Sequence, residues 1–223
     1  MKTEEIVGKI GEYWDEYAHK FDAEHDTEDL EVWRATLEAC LGTKNSSTIL
    51  DLGSGTGFLA NMAAEMGHFC IGLDIADKML DIAVRKAAAQ KLKAVYMRGD
   101  VLDLPFTENT FDFIINARLL WTLVEPGQAV SHWVRLIKPG GKLLCFNRFK
   151  EGLGLCGGLK VYEDKNVDEA VVLADASSDE LLKLFADSRL TDVEFRRLPD
   201  GLTKPDHAAG YDPWHVLIGT RRI

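Results

Sequence analysis

The sequence predicts an α/β fold: a doubly wound, mostly parallel seven-stranded sheet with a last antiparallel strand, helices on both faces and an N-terminal helical lid. Three observations predict it. From residue 48 onward, short apolar runs alternate with amphipathic stretches of helical length. The runs are almost wholly apolar, as strands covered on both faces are. The first run ends in a glycine-rich turn, Gly53-Ser54-Gly55-Thr56-Gly57, at a strand-to-helix junction. Strands separated by helices require crossover connections, which are right-handed and leave the strands parallel.

The elements follow in order. Residues 4–22 place Ile6, Ile10, Tyr13, Trp14, Tyr17 and Phe21 at spacings of three and four, an aromatic stripe on one helix. Residues 29–41 repeat the habit with Leu30, Trp33, Leu37 and Leu41. Between them, His25-Asp26-Thr27 reads as a loop in which Asp26 or Thr27 caps the second helix. Strands are expected at Thr48–Leu52, Phe69–Leu73, Ala94–Arg98, Phe111–Asn116 and Lys142–Asn147. Helices are expected at Gly57–Met66, Asp77–Gln90 and Gly127–Ile137, the last stopped by Pro139-Gly140-Gly141. Ser178–Ser188 reads as a helix capped by Ser177 or Ser178. Thr191–Leu198 and Trp214–Thr220 read as two final strands, a hairpin with a long connection.

With 223 residues and no evident linker, the chain reads as one domain. Its parts are a helical lid (1–45), a core (46–148) and a C-terminal part (149–223). Hydrophobic residues make up 46% and charged residues 28%, a globular balance. No apolar run approaches the ~18 residues of a membrane span, and no signal-peptide core follows Met1, so a cytoplasmic protein with no membrane partner is expected. The net charge of −10 disfavours nucleic acid as a partner. The adjacent pairs Arg196-Arg197 and Arg221-Arg222 read as solvated strand ends. Cys40, Cys70, Cys145 and Cys156 form no CxxC pair and have no histidine at zinc spacing, so no metal is expected. Cys70 and Cys145 sit in strand-like runs as core fillers; Cys156, among glycines, reads as exposed.

The turn after the first strand is the most informative stretch. Its spacing is GxGxG, where pyrophosphate-binding folds use GxGxxG, and Asp51 precedes the first glycine by two. An acid there opposes a phosphate and suits a cationic ligand. A P-loop is excluded, since no Gly-Lys-Ser/Thr is present. Asp74 ends the second strand, 17 residues beyond Gly57, near the spacing of about 20 for an acid that binds ribose hydroxyls. Asp100 could accept from an adenine amino group, with Val101 and Leu102 beside the ring. Met79 either covers the other face or belongs to the core.

The strings Ile49–Gly57, Gly72–Leu80, Gly99–Phe106, Phe111–Ile115 and Leu136–Gly141 resemble, in order, five motifs of the Rossmann-like (class I) S-adenosylmethionine-dependent methyltransferases. The likeness is strongest to the small-molecule branch that includes the ubiquinone/menaquinone-biosynthesis type. It implies that Asp51, Gly53, Ser54, Gly55 and Gly57 hold the amino-acid end of the cofactor. It further implies that Asp74 holds the ribose and Asp100 with Val101 the adenine, with Ile75, Met79 and Leu102 also among the cofactor-binding residues. Asn116, Ala117 and Arg118 would lie beside the methionine part. Residues 13–22 resemble the aromatic segment that closes over the cofactor, with Tyr17 where relatives often have arginine and Phe21 in place of a frequent tyrosine.

The expected reaction is in-line methyl transfer to a small-molecule O, N, S or C nucleophile, giving S-adenosylhomocysteine. No catalytic residue follows from the fold; His19 and Arg118 are weak candidates. Trp121, Asn147, Arg148, His207 and Tyr211 are further acceptor-side candidates. Arg118 and Arg148 hint at an acidic acceptor. Trp14, Trp33 and Trp121 could make an aromatic pocket, and Trp133 reads as core. An NAD-dependent oxidoreductase on a related fold and a non-catalytic S-adenosylmethionine-binding protein are the alternatives. Monomer and homodimer both stay open.

Overall fold

Successive side chains of β1 (Thr48–Leu52) face opposite sides of the sheet, and both sides are apolar. Ile49 joins a buried cluster with Trp33, Leu37, Leu59 and Ala63; Leu50 and Leu52 join another with Trp133, Leu181 and Phe185. The computed structural model, which describes residues 2–24, 26–42, 46–155, 160–204 and 212–223, repeats this division along the sheet. Phe113 and Leu144 fall on the first side, Ile114 and Leu143 on the second. The strands are therefore sandwiched between helix layers, as their apolar composition requires.

The other strands are β2 (Phe69–Asp74), β3 (Ala94–Arg98), β4 (Phe111–Ala117), β5 (Ile137–Arg148), β6 (Leu190–Arg197) and β7 (Trp214–Arg221). Their order is β3-β2-β1-β4-β5-β7-β6. Strands β1 to β5 pair in parallel, and β7 runs antiparallel to both β5 and β6. This is the expected doubly wound sheet with its antiparallel last strand. The chain winds outward from β1 in both directions, so the carboxyl ends of β1 and β4 flank the crevice where such sheets bind ligands.

The helices are α1 (Thr3–Glu24), α2 (Leu30–Leu41), α3 (Phe58–Glu65), α4 (Asp77–Gln90), α5 (Pro126–Leu136), α6 (Lys165–Ala170) and α7 (Ser178–Asp187). Helix α7 has the expected cap: Ser177 Oγ accepts from Glu180 N, and Glu180 Oε2 accepts from Ser177 N at 2.8 Å. Helix α2 is capped differently from expectation. Asp29, neither Asp26 nor Thr27, accepts from Glu31 N and Val32 N, both at 3.1 Å. The short α6 and two 3₁₀ turns, Leu120–Thr122 and Asp200–Leu202, carry no periodicity long enough to announce themselves.

Helix α5 ends before the Pro-Gly-Gly sequence expected to stop it. The chain turns extended at Ile137, and residues 138–141 lead straight into the ladder of β5. Arg221 binds the carbonyl oxygens of Arg135 (2.6 Å) and Ile137, replacing helical partners at that end. Gly141 is needed for closeness: a Cβ there would lie 2.5 Å from the Asp112 carbonyl oxygen. Cys70 and Cys145 are fully buried, as expected, and Cys156 lies outside the described residues. No helix among the described residues is long and apolar enough to cross a membrane.

Candidate cofactor and acceptor site

The glycine loop leaves β1 at Leu52 and enters α3 through Gly57, which has a left-handed φ of +85° and offers no side-chain cap. Gly53 also has positive φ (+60°), and a Cβ there would meet Leu119 at 2.8 Å. Side chains at these positions would be strained or crowded. The loop is fastened from the neighbouring strand: Ser54 N donates to the Leu73 carbonyl at 3.0 Å, and Gly55 N donates to Asp74 Oδ2 at 2.7 Å.

Asp74 therefore sits where the sequence puts it, at the end of β2 and against the loop. Its Oδ1 accepts from Ala76 N at 2.9 Å. Burial pushes its carboxyl above the usual range, the bonds from Ala76, Gly55 and Ile75 oppose that rise, and Asp15 adds to it. With three of its roughly four lone-pair sites taken by these backbone donors, the carboxylate keeps one for a hydroxyl donor. At the end of β3, Asp100 Oδ1 accepts from Leu102 N at 2.9 Å, curling the chain there. Helix α5 holds that curl in place: Trp133 Nε1 donates to the Val101 carbonyl at 2.8 Å.

A cavity of about 160 Å³ opens along these strand ends. It brings together Phe21, Gly53, Gly55, Asp74, Ile75, Met79, Asp100, Val101, Leu102 and Arg118 from the expected set. The other half is apolar, with Val7, Ile10, Trp14, Trp121, Leu123 and Val124. Met79 is 2% exposed in a small core with Ala18 and also reaches the cavity wall.

The remaining expected residues stand off the wall. Asp51 lies behind the loop, its Oδ2 accepting from Ala60 N at 3.0 Å in α3. Full burial raises its carboxyl well above the usual range. Ser54 is buried and Gly57 lies against the Tyr96 hydroxyl and Asn61. Asn116 is fully buried, its Nδ2 donating to Cys145 Sγ at 3.0 Å. Tyr17 turns toward Glu24, to which its hydroxyl donates, and stacks on Tyr13. His19 is exposed and its Nδ1 contacts the Glu16 carbonyl at 2.8 Å, so this catalytic candidate is corrected to the outer face of α1, off the cavity wall.

Arg118 reaches the cavity, but its guanidinium is ion-paired with Glu28, a 4% exposed residue between α1 and α2. Arg148 Nη2 lies 3.5 Å from the same carboxylate oxygen, and both guanidiniums lie over the Trp214 ring. The two arginines behind the hint of an acidic acceptor thus share one carboxylate of this chain. Asn147 is buried at the β5 end, and His207 and Tyr211 lie outside the described residues. Trp33 is core, packed edge-on to Trp214 and Phe58, and so is Trp133.

Sequence reasoning missed the fastenings of α1. Asp15 Oδ1 accepts from Lys78 N at 2.7 Å, capping α4 from outside, since its own cap residue Ala76 offers no side-chain bond. Thr56 of the glycine loop donates to Asp22 Oδ1 at 2.6 Å, and Lys86 pairs with Asp22 Oδ2 at 2.6 Å. Sequence reasoning also missed Tyr162, whose ring lies 5.8 Å from Trp121 and 6.5 Å from Trp14. Nothing local marks these residues, because their partners are remote in sequence.

Residues 50–145 match a family model described as a methyltransferase domain. A demethylmenaquinone methyltransferase of Paenarthrobacter aurescens is 26% identical over 89% of this chain and 87% of its own. The methyltransferase in a complex with the Trm112 activator from Haloferax volcanii shares the fold, with a TM-score of 0.68, 20% identity and coverage of 94% and 98% of the two chains. A phosphoethanolamine N-methyltransferase 2 of Haemonchus contortus, solved with S-adenosylmethionine, has a TM-score of 0.64 at 18% identity, covering 85% of this chain and 52% of that one. The domain, its relatives and its strand order agree: the chain is a Rossmann-like, S-adenosylmethionine-dependent methyltransferase resembling the menaquinone-biosynthesis type.

Proposed function

We propose that the chain transfers a methyl group to a small, largely apolar acceptor within the cavity at the β1–β4 strand ends. The observation that carries this reading is the division of that one cavity. Its cofactor half gathers Gly53, Gly55, Asp74 and Asp100; its other half is lined by Trp14, Trp121 and aliphatic side chains. The donor set fits an adenosyl ligand. Carboxylates stand where hydroxyl and amino donors would meet them, and a Cβ at Gly55 would project into open space.

When bound, the cofactor supplies a methyl group already activated by a sulfonium. Asp74 accepts from the ribose hydroxyls, and Asp100 accepts from the adenine amino group. Met79, Ile75, Val101 and Leu102 pack the apolar faces. The main chain of residues 53–57 approaches the amino-acid end, with Asp51 behind it holding the start of α3 through Ala60 N. Asn116 supports the β4 end from within, and Phe21 and Tyr17 belong to the lid. The titratable side chains on the wall are Asp74, Asp100 and Arg118, among the described residues. The first two are committed to the cofactor and the third to Glu28. The acceptor therefore brings its own nucleophile, and the walls align it and exclude water. Alignment of that kind lowers barriers by up to about 7–11 kcal/mol in well-oriented systems.

The net charge of −10 supports an acceptor other than nucleic acid, and a cytoplasmic setting agrees with the cofactor. The test is thermal melting with S-adenosylhomocysteine and with NAD. The first raises Tm and the second does not; the opposite pattern rejects the reading. Transfer of a labelled methyl group into a small molecule of a cell extract completes the case. Cofactor binding without any transfer would leave a binding protein only.

A further inference from the structure

The reversed strand β7 carries its last residues to the end of the sheet opposite the cavity. There Arg221 and Arg222 meet Arg135, in the last turn of α5, and Arg189, just past α7. The four arginines surround a groove of about 630 Å³ whose apolar lining is Val134, Ala186 and Leu190. The chain as a whole is acidic, so a groove lined by four arginines and no Asp or Glu departs from its surroundings.

The structural reading of these arginines accounts for only half of them. Arg221 is engaged by the carbonyl oxygens of Arg135 and Ile137 and completes the end of α5. Arg135 keeps a 3.8 Å contact with the exposed Glu108. The side chains of Arg189 and Arg222 have no hydrogen-bond or ion-pair partner among the described residues. Arg189 is also held in a left-handed backbone conformation (φ +65°), which fixes its direction of departure from α7. Guanidiniums present planar forks suited to phosphate oxygens, and an apolar floor suits the organic part of a phosphate ester.

We propose that this groove is a second binding site, for the phosphate group of a phosphate ester, with Arg189 and Arg222 as its ligating cations and Arg221 as its fixed back wall. The phosphate belongs either to a free soluble ester or to an anionic lipid headgroup. Neither source depends on the methyltransferase cavity.

The test uses the full chain at low salt. Pyrophosphate is titrated calorimetrically, and sedimentation is measured with vesicles of phosphatidylglycerol and of phosphatidylcholine. Binding of pyrophosphate with one-to-one stoichiometry assigns a soluble ester, and selective sedimentation with phosphatidylglycerol assigns a headgroup. In either case the double variant Arg189→Asn, Arg222→Gln weakens the interaction at least tenfold. Asparagine tolerates the left-handed backbone at 189. A charge-matched control, Arg34→Gln with Arg85→Gln, leaves the interaction unchanged. S-adenosylhomocysteine affinity is unaltered in both variants, so failure here is separable from failure of the cofactor assignment. Absence of binding to both probes, or an equal loss in the control, overturns the proposal.

Discussion

Asp74 carries more of the site than any other single side chain, because it faces two ways. Toward the protein it fastens the glycine loop through Gly55 N and opens the next turn through Ala76 N. Toward the cavity it keeps an acceptor site. Asp74→Ala is expected to weaken S-adenosylhomocysteine binding by about 1.5–3 kcal/mol, the range for hydrogen bonds to charged groups, measured by calorimetry on protein whose circular dichroism is unchanged. Unaltered affinity would remove Asp74 from the ribose position. Asp74 and Asp100 were legible in the sequence because each follows an apolar run of strand length, and a strand end is a place the topology fixes. Glu28 was not legible. It lies 90 residues from Arg118 and 120 from Arg148, and only the folded sheet brings the ends of β4 and β5 to the segment before α2. His19 misled for the converse reason: helical phase places it one face away from Trp14 and Phe21, and proximity in sequence is not proximity in space.

Among the elements, α1 is the one whose attachment bears on function. Its apolar face is buried through Ile6, Ile10 and Ala18, while its carboxylates Asp15 and Asp22 hold α4 and the glycine loop. The double variant Asp15→Ala, Asp22→Ala removes a helix cap and a loop anchor, each contributing about 1 kcal/mol. We expect its S-adenosylhomocysteine dissociation constant to rise roughly tenfold or more. Lys9→Ala, which breaks the Lys9–Asp164 pair farther along the same helix, leaves it unchanged. Equal constants for all three proteins would mean that α1 is no lid. The aromatic stripe made the helix legible, since a spacing of three and four needs no tertiary information. The polar fastenings left no such mark, and neither did the early end of α5, where Arg221 from β7 takes carbonyl oxygens that a sequence-local rule leaves to proline and glycine.

For the whole molecule, the buried carboxyls set how stability depends on pH. Asp51 and Asp74 both titrate above the ordinary carboxylate range in the folded chain, chiefly through burial. Above about pH 4 the folded state then holds more protons than the unfolded one, so their contribution to stability declines as pH rises through the raised values. His68 and His215 are pushed down by burial and act oppositely: their contribution is present above about pH 6.5 and is lost as pH falls toward the lowered values. Asp51→Asn keeps an acceptor for Ala60 N and removes the larger carboxyl effect. Urea unfolding without cofactor is expected to show the variant gaining on the parent as pH rises from about 4 to about 7; parallel curves would mean that Asp51 titrates normally. The two-sided apolar sheet was legible because the central strands β1, β4 and β5 repeat it. The attachment of α1, the lid we propose, has an expected dynamic consequence for the molecule. Asp15 is at once a latch and the missing cap of α4, so letting go of the door also unravels the first turn behind it. Each polar tie is worth only about 0.5–1.5 kcal/mol net, which allows the doorway to breathe on the timescale of hinge motions. We expect the wall bearing Met79 to slacken in the same stroke, so that entry and grip are coupled.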